Sequence, residues 1–160
     1  MRDAIAWLAA ERNGDAGRAG VQGCSYGGYL AYVAAFLAPD PIKASAAWNG
    51  FSDWTISFGS NSGALLGDPA LNPEAFGDSS ATSHVGDFAG NLLIIHSIDD
   101  EVIPLEAAVR IVQRLLDLGK ENWDFAPYPT GWHCFIQRPD LRPDACRRTM
   151  ELSDRTIGLN

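Results

Sequence analysis

The sequence predicts an α/β fold, a mostly parallel sheet of about four strands flanked by helices, and three observations carry that prediction. Short apolar runs of strand length alternate with longer stretches of helical period. The run at 91–96 (NLLIIH) is continuously apolar, as a parallel strand covered on both faces must be. Chemistry-bearing turns follow directly on the strand-like runs, at the end of the strands where open α/β sheets gather their reacting groups.

The chain reads as a single domain over residues 1–160. Residues 3–12 are expected to form a helix that Asp3 caps, with Ile5, Trp7 and Leu8 on its apolar side. Residues 19–21 form a short strand, and Gly23-Cys24-Ser25-Tyr26-Gly27-Gly28 turns into a helix over 29–37. Residues 51–90 are rich in Gly, Ser, Asn and Asp and lack a sustained period. They read as a long irregular excursion with one or two short helices, and such excursions are usually functional. After the strand at 91–96, residues 104–118 give the clearest helix. Pro104 stands at its first position, Leu105, Ala108, Val109, Val112, Leu115 and Leu116 line one face, and Gly119 caps the end. A strand at 123–128, a loop at 129–133 and a final helix at 144–157, with Cys146, Met150 and Ile157 turned inward, complete the chain.

A serine between glycines on a strand-to-helix turn has the G-x-S-x-G pattern of a nucleophile elbow. The spacing is steric, since strand and helix approach closely there and the backbone is strained. Gly23 and Gly27 are expected to supply the small neighbours, and Gly28 further room. A glycine-rich turn can also serve backbone geometry alone, so Ser25 needs partners. A serine hydroxyl is a poor nucleophile without a base in reach. His96 lies in an apolar strand end and His84 in a polar loop before it, whereas His133 follows a strand late in the chain and is the candidate base. Ser97-Ile98-Asp99-Asp100-Glu101 offers acids at a strand end that could fix the imidazole and stabilise its cation. The order serine, acid, histidine is that of α/β-hydrolases, and the Tyr26 N–H is the candidate oxyanion donor.

These residues resemble the second half of the catalytic domain of the prolyl oligopeptidase family of serine peptidases. Gly23–Gly28 followed by Tyr29-Leu30-Ala31 resembles the family's elbow, and Phe51-Ser52-Asp53-Trp54 its segment after the next strand. Leu66-Gly67-Asp68-Pro69 and Ser83-His84-Val85 resemble the approach to the acid strand, and 92–104 the acid strand itself. Gly119-Lys120 and Tyr128-Pro129 with Gly131, His133 and Phe135 complete the likeness. Two departures stand out: Ser97 follows His96 where the family has glycine, and Trp132 and Cys134 flank the base. The resemblance implies a partial α/β-hydrolase fold and a Ser25, Asp100, His133 triad. Asp100 lies four residues after His96 and four before Pro104, while a minority spacing favours Asp99. It further implies an apolar pocket built from Phe51, Trp54, Phe58 and Ile103, residues that could equally be plain core. The family's second oxyanion donor comes from an upstream tyrosine with no counterpart here. By resemblance the chain is therefore expected to be the carboxyl-terminal part of a larger enzyme.

The implied activity is hydrolysis of peptide bonds through an acyl-enzyme, with a peptide substrate and neither cofactor nor metal. An esterase on the same triad is the first alternative. A catalytically silent fragment that self-associates through an exposed sheet edge is the second. A net charge of −8 argues against nucleic-acid binding. No run is long enough to cross a bilayer, and Asp3 and Glu11 exclude residues 1–12 as a signal peptide. The odd trio Cys24, Cys134 and Cys146 contains no metal-binding pair. The three read as small buried hydrophobes, Cys24 and Cys134 near the site, in a reducing, cytoplasmic setting.

Overall fold

A computed structural model of the chain describes residues 1–56 and 64–158. Four strands, β1 (Ala19–Cys24), β2 (Ile42–Trp48), β3 (Asn91–Ser97) and β4 (Trp123–Tyr128), form one sheet in that order, and every pairing is parallel. The helices are α1 (Arg2–Arg12), α2 (Tyr26–Leu37), α3 (Pro73–Ser79), α4 (Glu106–Asp117) and α5 (Arg142–Ile157). A 3₁₀ turn covers Ala81–Asp87, and shorter ones cover His133–Phe135 and Pro139–Leu141.

Consecutive strands are neighbours throughout. With right-handed crossovers, that order puts every connecting helix on the same face of the sheet. The packing agrees: Ala31, Tyr32, Ala35 and Phe36 of α2, Val85 of the 3₁₀ turn, and Ala108, Ile111 and Leu115 of α4 share one core with Ala47, Leu92 and Ile94. The chain emerging from β4 must cover the other face. There Ala145 and Leu152 of α5 meet Ala44, Ala46, Trp48, Leu93 and Ile95, with Tyr128 and Phe135 beside them. Central strands β2 and β3 are thus buried on both sides, which is why their sequences do not alternate. Pro127 has no N–H to give and is accommodated in edge strand β4, opposite His96.

The helices depart from expectation in instructive ways. Asp3 makes no capping bond, since Met1 is the N-cap, and α1 buries none of its residues, leaving Trp7 and Leu8 about half exposed. Helix α4 begins at Glu106, and its inner face is Ala107, Ala108, Ile111 and Leu115, while Val109 and Leu116 point outward. Gly119 does adopt a left-handed conformation, φ 58°, just past its end. On α5 the inner residues are Ala145 and Leu152, while Cys146 and Met150 are exposed. Cys146, Met150 and Ile157 line a groove of about 330 Å³ against β1 and β2. The excursion after β2 contains α3 and the 3₁₀ turn. No helix among the described residues is long and apolar enough to cross a membrane.

Close approach at the elbow falls on Gly23 and Gly28, not on Gly27. A Cβ on Gly23 would lie 2.4 Å from the Gly27 carbonyl, and one on Gly28 would lie 2.7 Å from Gly50 Cα and from the Trp48 oxygen. Gly27 itself has open space where a Cβ would go. Gly23 and Gly28 are therefore the positions that set how closely α2 approaches β1 and β2. Gly28→Ala is expected to destabilise the chain by about 1–3 kcal/mol, and Gly27→Ala to change stability by less than about 1 kcal/mol. Urea denaturation of the two variants checks this, and equal losses would contradict the Gly28–Gly50 contact.

Candidate active site

Parallel strands present all their carboxyl ends on one edge, and each end here carries a candidate residue. Ser25 follows β1, Asn49 follows β2, Asp99 and Asp100 follow β3, and His133 lies beyond β4. Ser25 has φ 61° and ψ −120°, a conformation rare for an L-residue. It is held from both sides. Its N–H donates to the Trp48 carbonyl at 3.0 Å, and its own carbonyl accepts from Tyr29 N–H at 3.0 Å. Tyr26 opens α2, where the first N–H groups have no intrahelical acceptor.

Asp100 and His133 are in contact. His133 Nδ1 donates to Asp100 Oδ2 at 2.8 Å. With Nδ1 carrying the proton, Nε2 is the acceptor of the neutral ring. Asn49, fully buried, donates its amide to the same Oδ2 at 2.7 Å, and the N–H groups of Val102 and Ile103 donate to Oδ1 at 2.9 Å each. Burial pushes the Asp100 pKa up. The bonds from His133, Ile103 and Asn49 outweigh that and hold the carboxyl below its ordinary value. Asp99 faces elsewhere. It accepts from the Thr130 hydroxyl at 2.9 Å, Gly131 N–H at 3.2 Å and Trp132 N–H at 2.8 Å, so it fixes the loop that carries the histidine. Burial again acts upward, and these three donors more than offset it, so its pKa too is lowered. The adjacent acids thus divide into one on the imidazole and one on the backbone beneath it.

Gly131 is dictated by that loop, having φ 149° and room for a Cβ only at 2.7 Å from Phe135 and from Ser97 Oγ. His96 is fully buried and donates from Nε2 to the Ile103 carbonyl at 2.9 Å. Burial lowers its pKa, so it is a neutral brace of the acid loop. His84 meets the Asp78 carbonyl, away from these groups. Ser25 Oγ makes no hydrogen bond among the described residues, and the bonds that Ser25 and His133 do make run to their neighbours.

Those neighbours are the main surprise. Cys24 and Cys134 form a disulfide with Cα atoms 6.0 Å apart, and Cys146 is free and exposed. The reading of all three as buried hydrophobes is therefore wrong. Cysteines 110 residues apart gave no spacing signal, and only their positions beside Ser25 and His133 hinted at proximity. With two thiols bridged, the cysteine count no longer argues for a reducing compartment.

Phe51, Trp54 and Ile103 belong to one apolar cluster, joined by Tyr29, which the sequence reading did not single out. Phe51 stacks on Tyr29 at 4.5 Å and meets Trp54 edge-on at 4.9 Å. Half-exposed Tyr26 covers them, its ring 5.8 Å from Phe51 and 6.4 Å from Trp54. Phe58 lies outside the described residues. Asn49 was also missed, and its only trace in the sequence is an Asn-Gly pair at a strand end.

A four-strand parallel sheet with helices on both faces matches part of an α/β-hydrolase domain. The prolyl oligopeptidase family, a family of serine hydrolases, matches residues 1–160, and the chain belongs to it. Among curated relatives, an esterase LipC from Mycobacterium tuberculosis is 28% identical over 84% of this chain and 40% of its own length. A probable dipeptidyl-aminopeptidase B from Colletotrichum graminicola is 28% identical over 81% of this chain and 14% of its own. The Pyrococcus horikoshii acylaminoacyl peptidase structure superposes on 97% of this chain and 26% of its own, with TM-score 0.83 and 29% identity. The chain thus spans well under half the length of each.

Both loop carboxylates have lowered pKa values. Their stabilisation of the histidine loop is fully present above the unfolded aspartate value of about 3.9 and is lost as pH falls through the lower folded values. Amide exchange at Gly131 and Trp132 is expected to stay protected down to about pH 4 and to open below it. Opening well above pH 4 would contradict the two carboxylates as the hold.

Proposed function

We propose that Ser25, Asp100 and His133 form a catalytic triad and that the chain is a serine-type peptidase of the prolyl oligopeptidase kind. The observation that carries this reading is the 2.8 Å bond from His133 Nδ1 to a buried, ionised Asp100, on the same carboxyl edge of the sheet as a serine on a strained turn. In the proposed reaction Ser25 Oγ attacks the scissile carbonyl while His133 Nε2 takes its proton. Asp100 stabilises the imidazolium, and the Tyr26 N–H donates to the developing oxyanion. The imidazolium then protonates the leaving amine. Water, deprotonated by the same nitrogen, releases the acyl group and regenerates Ser25. Phe51, Trp54 and Ile103 are buried beneath half-exposed Tyr26, so in this reading Tyr26 is the apolar surface offered to a side chain beside the scissile bond.

The likeness to LipC supports a second reading, an esterase using the same residues. A third is a silent piece that self-associates along the outer edge of β1, the first strand of the sheet. Comparing an aryl ester with a prolyl amide on one preparation separates the first two: turnover of the amide as well as the ester supports a peptidase, and turnover of the ester alone an esterase. Size in solution tests the third, since a monomer that turns over substrate contradicts it.

Ser25→Ala is expected to abolish turnover with the fold intact, and unchanged turnover would sink the triad. Asp100→Asn is expected to cut kcat by about 10⁴. Asp99→Asn, which leaves the imidazole partner in place, is expected to cost less. The reverse ranking would move the acid to Asp99.

A further inference from the structure

The two bridged cysteines flank the two candidate reacting residues, Cys24 preceding Ser25 and Cys134 following His133. Their bond is the covalent link between the serine turn and the histidine loop. That loop needs restraint. Gly131, Trp132, Cys134 and Phe135 have φ of 149°, 54°, 53° and 58°. Each non-glycine residue held in such a region costs about 1–3 kcal/mol unless its surroundings enforce it. Asp99 restrains the entry at Gly131 and Trp132. Phe135 restrains the exit, its ring 5.9 Å from Trp48 and 4.9 Å from Tyr128. Neither tie is covalent, and the disulfide is the one bond among the described contacts that joins this loop directly to the residue preceding Ser25. Both cysteines are only half-buried, so a thiolate can approach them.

We propose that Cys24 and Cys134 are a redox-controlled positioning pair whose disulfide sets His133 against Ser25 and whose reduction switches hydrolysis off. The proposal rests on the triad reading above. The reductant is a dithiol. One of its thiolates attacks a bridge sulfur, the S–S bond breaks, and a mixed disulfide forms. Its second thiol then closes the reductant's own disulfide and frees the remaining protein sulfur. Two electrons pass to the bridge, and two protons end on Cys24 and Cys134. With the bridge open, Cys134 can leave its left-handed conformation and carry His133 away from the elbow. The cluster of Phe51, Trp54 and Ile103 contains neither cysteine and keeps its shape.

The test uses the full chain carrying Cys146→Ser, which prevents disulfide exchange, in its oxidised form and after dithiothreitol treatment. A mass gain of two hydrogens verifies reduction, and far-ultraviolet circular dichroism verifies that the fold persists. Reduction is expected to lower kcat for an aryl ester on the order of a hundredfold, the loss typical of a misplaced catalytic group, with KM unchanged. Reoxidation restores the rate, and a Cys24→Ser/Cys134→Ser chain stays at the reduced rate whatever the dithiol. Reduction is also expected to speed amide exchange over residues 133–135 and to weaken the low-field resonance of the His133 Nδ1–H. Equal kcat in the two states would overturn the proposal. If the oxidised chain turns over no substrate, the triad reading fails separately, and unchanged exchange and resonance on reduction would still overturn the clamp.

Discussion

Asp100 accepts two hydrogen bonds on each oxygen: from Asn49 and His133 on Oδ2, and from the Val102 and Ile103 N–H groups on Oδ1. The donors come from the end of β2, from the loop after β4 and from the turn after β3, so one carboxylate ties three of the four strand ends together. A buried carboxylate is costly unless its lone pairs are used, and here they are. Removing it would leave the Asn49 amide and two N–H groups unpaired as well as freeing the imidazole. In the proposed triad the carboxylate is thus at once the orienting acid and the knot of the carboxyl edge, two roles a single substitution cannot separate.

The sheet makes that knot possible. Parallel register sets Trp48 beside Ile95 and Ser97 beside Tyr128, so the residues following each strand emerge at neighbouring points. The serine turn is fixed to the same edge, through the Trp48 carbonyl that accepts from Ser25 N–H and through the Gly28–Gly50 approach. Asp99 and the disulfide then add a second level, restraining the loop on which the imidazole stands.

Much of this was legible in the sequence, for identifiable reasons. The continuous apolar run of β3 and the bounds of β4 follow from burial on two faces and from turn residues at each end. Ser25, Asp100 and His133 could be named as candidates because each sits at a strand end in a fixed order. Helix faces were less legible. Val109 and Leu116 are apolar yet exposed, and α5 turns Met150 to solvent, because the sheet accepts narrower stripes than composition suggests. Contacts made by single residues across the fold could not be read. Asn49 reaches Asp100 across 51 positions, and Cys24 reaches Cys134 across 110. No local periodicity encodes such pairings. The elbow glycines were seen, but the roles of Gly27 and Gly28 required knowing that Gly50 lies against the helix.

The central claim is that serine, base and acid are assembled within these residues. Its most direct test is the site and rate of covalent modification by a fluorophosphonate, read by mass spectrometry of the intact and digested chain. The account predicts one adduct per chain, on Ser25, formed much faster than in a chain carrying His133→Ala. Absence of an adduct on a folded chain, or an adduct on another hydroxyl, would contradict it.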